Sequence, residues 1–300
     1  MSALPKKARQ LAAAFRVSDG SRLRLADCDP ADTMGTRLAD KEDAAEAIQQ
    51  GVAEISRLQE TLYAQDRWAL LLIFQAMDAA GKDGTIKHVL SGVNPQGCDV
   101  HSFKAPSSEE LHHDFLWRCG RCLPERGRLG IFNRSYYEET LVVRVHPELL
   151  ARENLPARLV TKHLWKERYQ DIRHFERHLV RNGTVVLKFF LHLSRKEQKR
   201  RFLERLQNPA KYWKFSAADA SERMRWNDYM AAYQDTIRHT ATEEAPWYVV
   251  PADNKWFARL VVSSVVIDAL SSLDLKLPEV DRGKLADLAS ARRALARKAG

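Results

Sequence analysis

Two hydrophobic patterns alternate along this chain. Short, nearly unbroken apolar runs mark strand candidates at Ala69–Phe74, Cys98–Phe103, Arg128–Phe132, Thr184–Leu193 and Trp247–Pro251. A run such as ALLLIF has no polar face, as expected of a parallel strand covered on both sides. Between these runs, apolar residues recur every three to four positions. Over Asp40–Tyr63 the recurrence is carried by Ala44, Ala47, Ile48, Ile55, Leu58 and Leu62 and predicts a helix. Further helices are predicted over Thr85–Ser91, Ser108–Cys119, Ser135–Val145, Lys162–Asn182, Ser194–Gln207, Ala218–Thr240 and Lys255–Leu273. Residues 1–40 read as mixed and turn-rich. Strands alternating with helices define an α/β fold with a mainly parallel five-stranded sheet flanked by helices. Ligands of such sheets bind at the carboxyl ends of the strands. The expected organisation is an N-terminal extension with a helix (1–66), a core (67–275) and a basic C-terminal tail (276–300).

The segment LLIFQAMDAAGKDGTIKH runs from a strand through a small-residue loop into a helix. That is the layout of a phosphate-binding P-loop, or Walker A motif: backbone N–H groups and a helix N-terminus face an anion. The candidate cradle is Ala79, Ala80, Gly81, Lys82, Asp83, Gly84 and Thr85, with Lys82 as point charge. Two positions depart from the pattern. Ala76 stands where it asks for Gly, and Asp83 where it asks for the Ser/Thr whose hydroxyl ligates Mg²⁺. The metal then needs another anchor, and Asp78 inside the loop is a candidate. A carboxylate there repels phosphate unless a cation lies between.

A second motif, RLGIFNRSYYE, ends the strand at Phe132. Asn133 occupies the place where an acidic residue often holds Mg²⁺, and its carbonyl serves the metal's water shell without charge. Arg134 suits a bidentate phosphate clamp. Glu138 lies four residues on, either facing the site or forming a plain ion pair with Arg134. The interval 141–161, with Arg144, Arg152 and Arg158, is the candidate lid. Lids exclude water so that phosphoryl transfer outcompetes hydrolysis. A basic helix, SRKEQKRRFLER, follows the Val185–Leu193 strand, with Arg201 and Arg205 on one face.

The charge balance is 48 basic against 39 acidic residues, a formal net charge of +9. The excess concentrates in Arg121–Arg128, Arg195–Arg205 and Arg292–Lys298, which suits a polyanionic partner. Cys28, Cys98, Cys119 and Cys122 make no disulfide framework, and the C-x₂-C pair lacks a second pair for zinc. No membrane span or secretory leader is evident, so the expected location is cytoplasmic.

AMDAAGKDGT, FNRSYYEE, LKFFLHLSRKEQKRRFLERL and WNDYMAAY…APWYVVPADNKWFARL resemble the family 2 polyphosphate kinases, over residues 35–272. The resemblance implies a P-loop kinase fold with a helical lid. It also implies Mg²⁺ (or Mn²⁺) dependence and reversible transfer between inorganic polyphosphate and nucleotides. Its P-loop carboxylate and lysine fall on Asp78 and Lys82, its clamping arginine on Arg134, and a polyphosphate-contacting helix residue on Arg201. Arg144 is then a phosphate-binding lid residue, Asp78 and Asn133 hold metal, and Glu138 positions the acceptor. Many members carry Asp at the Asn133 position and Asn at the Glu138 position. FNRSYYE resembles the subgroup that takes AMP to ADP and on to ATP, and guanine nucleotides are further candidates. A homo-oligomer, dimer or tetramer, is implied. The rival readings are an ATP-dependent nucleoside or nucleotide kinase of the thymidylate-kinase type and a nucleic-acid-binding module. Against the latter, no zinc finger, RNP-like aromatic strand or basic heptad region is found.

Overall fold

The computed structural model describes residues 3–36, 41–214 and 217–297. In chain order, α1 (Ala3–Phe15) and the two-residue β1 (Arg16–Val17) precede α2 (Lys41–Gln65), β2 (Ala69–Gln75) and α3 (Lys82–Val89). β3 (Cys98–Ser102), the one-turn helices α4 (Ser108–Leu111) and α5 (Trp117–Gly120), and β4 (Leu129–Asn133) follow. A π-helical turn over Glu139–Val143 and α6 (Pro147–Leu150) lead to α7 (Leu164–Arg181), β5 (Thr184–His192) and α8 (Arg195–Leu206). Then come α9 (Ala217–Met224), α10 (Trp226–Thr240), β6 (Trp247–Pro251), α11 (Lys255–Ser271) and α12 (Arg282–Arg297).

The sheet order is β1-β6-β5-β2-β4-β3. β2 through β6 pair in parallel, with Leu72 opposite both Ile131 and Leu187. β1 adds an antiparallel edge through Arg16 and Val17. The described sheet therefore has six strands rather than five. Two residues are too few to show an alternating pattern. β2 lies between β4 and β5, so successive connections depart to opposite sides and open a crevice at its carboxyl end.

Every residue of β2 is buried, which explains its apolar run. Leu70, Leu72 and Phe74 pack with Ile55 and Leu62 of α2 and Val261 and Val265 of α11. Leu71 and Ile73 point to the other face, among Phe132, Tyr233 and Trp247. A sheet with both faces covered is rigid enough to present the loops at its strand ends.

Several predicted elements change. The turn-rich reading of residues 1–40 is corrected by α1, whose Ala8 and Ala12 are buried with α11. Asp40, the first residue of the predicted second helix, lies outside the described residues. Ser108–Cys119 is not one helix. It breaks after Leu111, and Asp114 Oδ1 accepts from Leu116 N at 2.9 Å as the chain restarts. Ser135–Val145 begins as turns and then widens into the π-helical turn. Ala218–Thr240 is interrupted at Arg225. Among the described residues the four cysteines are free and no helix is long and apolar enough to cross a membrane. Burial pushes the Cys119 thiol up to about 12, so it behaves as a core residue rather than a reactive one.

Candidate active site

Beyond Gln75 the chain turns through Ala76–Gly81 into α3. Ala79 (φ 65°) and Gly81 (φ 103°) are both left-handed. Glycine accepts this freely, whereas at alanine it marks a constrained backbone. Ala80 N donates to Met77 O at 3.2 Å, and Thr85 N donates to Gly81 O at 2.9 Å as α3 begins. The outward carbonyls of the loop are held by α8. Gln198 Nε2 donates to Asp78 O at 3.0 Å, and Arg201 Nη1 donates to Ala79 O at 3.0 Å and Ala80 O at 2.9 Å. Across a planar trans peptide the following N–H points the opposite way. The N–H groups of Ala79 and Gly81 therefore turn from α8 toward the cavity and, with the α3 N-terminus, form an anion cradle. Lys82 Nζ spans the loop to Ala76 O at 2.8 Å. Burial pushes its pKa down and Arg134 adds to this, while Asp78, Glu138 and Asp83 oppose it.

At the end of β4, Asn133 Nδ2 donates to Asp83 Oδ1 at 2.7 Å. Arg134 is left-handed (φ 65°), and its N–H donates to Phe74 O at 3.0 Å. Its guanidinium donates to Glu138 Oε2 at 3.2 Å and lies 3.5 Å from Asp78 Oδ1. Glu138 is the largest influence holding it charged, against burial. The turn behind it is fixed from the core. Glu176 accepts from Tyr136 at 2.9 Å, Tyr137 at 2.7 Å and the buried Lys188 at 2.6 Å.

Among the described residues, no group of three or more His, Cys, Asp or Glu converges as a metal cage. Mg²⁺ takes one or two carboxylates and fills its other positions with water and phosphate oxygens. Asp78, together with the carbonyl of Asn133 left free by the bond to Asp83, fits that donor set.

Two cavities meet at this point. One, of about 720 Å³, runs along the P-loop and past Lys104, Arg205, Lys211, Lys255 and Arg259. Lys255 and Arg259 form no ion pair among the described residues, and Arg259 Nε is buried without a partner. Burial, then the nearby Arg201, pushes the Lys255 pKa down. Glu204 opposes this shift and pairs with Lys211 at 2.7 Å, so the cations that a bound polyanion relieves are chiefly Lys255 and Arg259. The second cavity, of about 310 Å³, lies between Glu138, Val142, His146 and Leu149 after β4, and Glu222, Tyr229 and Tyr233. Asp78 and Arg134 line both.

Two residues expected to bind phosphate make contacts within the protein. Arg201 is 4 % exposed, and its N–H groups go to Glu197, Ala79, Ala80, Ala252 and Asp253. It braces the P-loop and has no donor left for polyphosphate. Arg144 pairs with Asp235 at 2.6 Å and with the Tyr169 hydroxyl, anchoring the segment after the π-helical turn to α7 and α10. Among residues the sequence reading missed, His146 bonds Glu148 at 3.1 Å and Glu222 at 2.9 Å. Lys255, Arg259, Tyr229 and Tyr233 belong to helices whose general periodicity was legible. All four lie inside the WNDYMAAY and APWYVVPADNKWFARL motifs, but no role was read for any of them from the sequence.

A P-loop beside a two-cavity crevice at the carboxyl ends of a parallel sheet defines a P-loop kinase. The family model described as "Polyphosphate kinase 2 (PPK2)" matches residues 38–278. The chain belongs to the polyphosphate kinase 2 family. It is 52% identical over 282 residues to a Rhodopseudomonas palustris protein named ADP-polyphosphate phosphotransferase, covering 94% of this chain and 97% of that one. It is 44% identical over 265 residues to the AMP/ADP-polyphosphate phosphotransferase of Meiothermus ruber, covering 88% and 95%. The crystal structure of a polyphosphate kinase 2 from Arthrobacter aurescens TC1 matches with a TM-score of 0.86 at 40% identity, covering 94% and 96%.

Proposed function

We propose that this protein transfers phosphoryl groups from inorganic polyphosphate to AMP and ADP, reversibly, with Mg²⁺ (or Mn²⁺ in its place). The observation that carries this reading is the pair of cavities sharing Asp78 and Arg134. The longer, cation-lined one suits polyphosphate and the smaller one the acceptor. Guanine nucleotides are further acceptors to test.

Phosphoryl transfer rests on positioning and charge stabilisation rather than covalent help. Lys82 and the P-loop N–H groups hold the donor's reacting end. Arg134 stands at the boundary and reaches the transferring phosphate from either side. Glu138 positions the acceptor. The acceptor oxygen is already ionised, so no general base is needed. His146 and Leu149 cover the acceptor cavity and keep water out. Mg²⁺, held by Asp78 and Asn133, supplies charge neutralisation on the phosphates when bound.

An ATP-dependent kinase needs a cradle for a triphosphate but no cations running on past it to Lys255 and Arg259. The test is the purified protein with polyphosphate, AMP and Mg²⁺ and no ATP, read by nucleotide chromatography. ADP and then ATP are expected, and chelation stops their formation. Product that forms only when ATP is supplied as donor contradicts the reading. Light scattering reads the expected dimer or tetramer.

A further inference from the structure

We propose that Gln75 is a positioning residue that aims the Glu138 carboxylate into the acceptor cavity and so sets the preference between AMP and ADP. The inference rests on the function proposed above. Gln75 ends a strand whose other residues, ALLLIF, are apolar, and it is 0% exposed. A buried amide is costly unless its hydrogen bonds are made. Oriented to satisfy its neighbours, its Nε2 donates to Glu138 Oε1 at 3.0 Å. Its Oε1 accepts from Ser135 N at 3.1 Å and Ser135 Oγ at 3.2 Å. Ser135 Oγ accepts in turn from Tyr137 N at 3.1 Å.

The two oxygens of Glu138 therefore have separate anchors. Oε2 takes Arg134, which lines both cavities, and Oε1 takes an amide fixed in the sheet. Glu138 is 14% exposed and lines the acceptor cavity. A carboxylate held at this place fills the room that the shorter acceptor leaves and so holds AMP in position, a support that ADP, with its own additional phosphate there, does not need. Without Gln75, Glu138 is held among the described residues by Arg134 alone, through Oε2 at 3.2 Å, and the discrimination weakens. Arg134 and Lys82 are the cations facing this carboxylate, Asp78 is the neighbouring anion, Tyr229 and Tyr233 face it from α10, and His146 and Glu222 line the same cavity.

Gln75→Met keeps volume and burial but removes both the donor and the acceptor of the amide. With polyphosphate saturating, kcat/KM for AMP is expected to fall about tenfold and that for ADP less than about threefold. Calorimetry without polyphosphate is expected to show weaker AMP binding. In a Glu138→Asn background, adding Gln75→Met leaves the AMP:ADP ratio unchanged, because Gln75 acts through Glu138. Gln75→Glu keeps the shape and carries the test should Gln75→Met not fold. It sets two carboxyls together, so its AMP:ADP ratio falls more steeply with rising pH than that of the wild type. An equal loss for both acceptors, or the same ratio change in the Glu138→Asn background, overturns the inference. A wild type that binds AMP but takes no phosphoryl group from polyphosphate overturns the proposed function instead, and leaves Gln75 readable by calorimetry.

Discussion

Arg134 Nη2 lies 3.5 Å from Asp78 Oδ1, a long contact between two side chains that line both cavities. Neither group is locked to the other, and each is partly exposed. A phosphate entering between them displaces little. Arg134→Lys replaces a planar fork with a point charge. Turnover is expected to fall at least about tenfold, roughly 1.4 kcal/mol. Steady-state kinetics within about twofold of wild type would instead assign Arg134 to its ion pair with Glu138.

Lys82→Ala removes the charge that spans the P-loop. Transfer in both directions is expected to fall about 10²–10³-fold. Stability should hold, because burial already disfavours the charged ammonium, as its lowered pKa records. Circular dichroism and turnover on the same sample check both parts. A folded variant with wild-type turnover contradicts the P-loop assignment.

Arg201→Lys separates bracing from substrate contact. A lysine has three donors where the arginine spends its guanidinium on four backbone carbonyls and Glu197. Carbonyls left unsatisfied cost about 1–3 kcal/mol each, so denaturant unfolding should show a clear loss of stability. The salt dependence of polyphosphate binding should not change. Unchanged stability with a smaller salt slope means that Arg201 contacts polyphosphate after all.

Glu139 makes stability depend on pH. Burial, then the nearby Glu153 carboxylate, raises its pKa to about 8 from 4.5, against Arg168. Between those values the native chain keeps a proton that the unfolded chain has released. The resulting stabilisation is complete below 4.5 and is lost as pH rises through about 8. Glu139→Gln removes this dependence. Its Tm relative to wild type is expected to climb steadily across that window in scanning calorimetry. A constant difference means that Glu139 does not hold the proton.

Much of the frame was legible because it rests on local rules. Ala69–Phe74 is apolar throughout since both of its faces are covered, and the P-loop follows from small residues and a lysine at a strand end. The edge strand and α1 escaped notice, since two residues carry no period and α1 buries small alanines. The contacts of the arginines were not legible for one reason. Arg201 and Arg144 look like phosphate ligands by type, yet tertiary packing turns Arg201 onto backbone carbonyls and Glu197 and ties Arg144 to Asp235 and Tyr169. Conversely, Lys255 and Arg259 lie on an apolar helix far along the chain and reach the P-loop only through the sheet topology. Gln75 ended the most conspicuous apolar run, but its partners lie sixty residues away.

The central claim is that donor and acceptor occupy separate cavities meeting at Asp78 and Arg134. Lys255→Glu tests it most directly. Lys255 is exposed in the first turn of α11, where a carboxylate favours the helix, so the fold is preserved. The measurement is the pair of KM values, for polyphosphate and for AMP, each with the other substrate saturating. The account predicts a KM for polyphosphate raised about tenfold and a KM for AMP within about twofold of wild type. A rise in the KM for AMP with the polyphosphate value unchanged would contradict it.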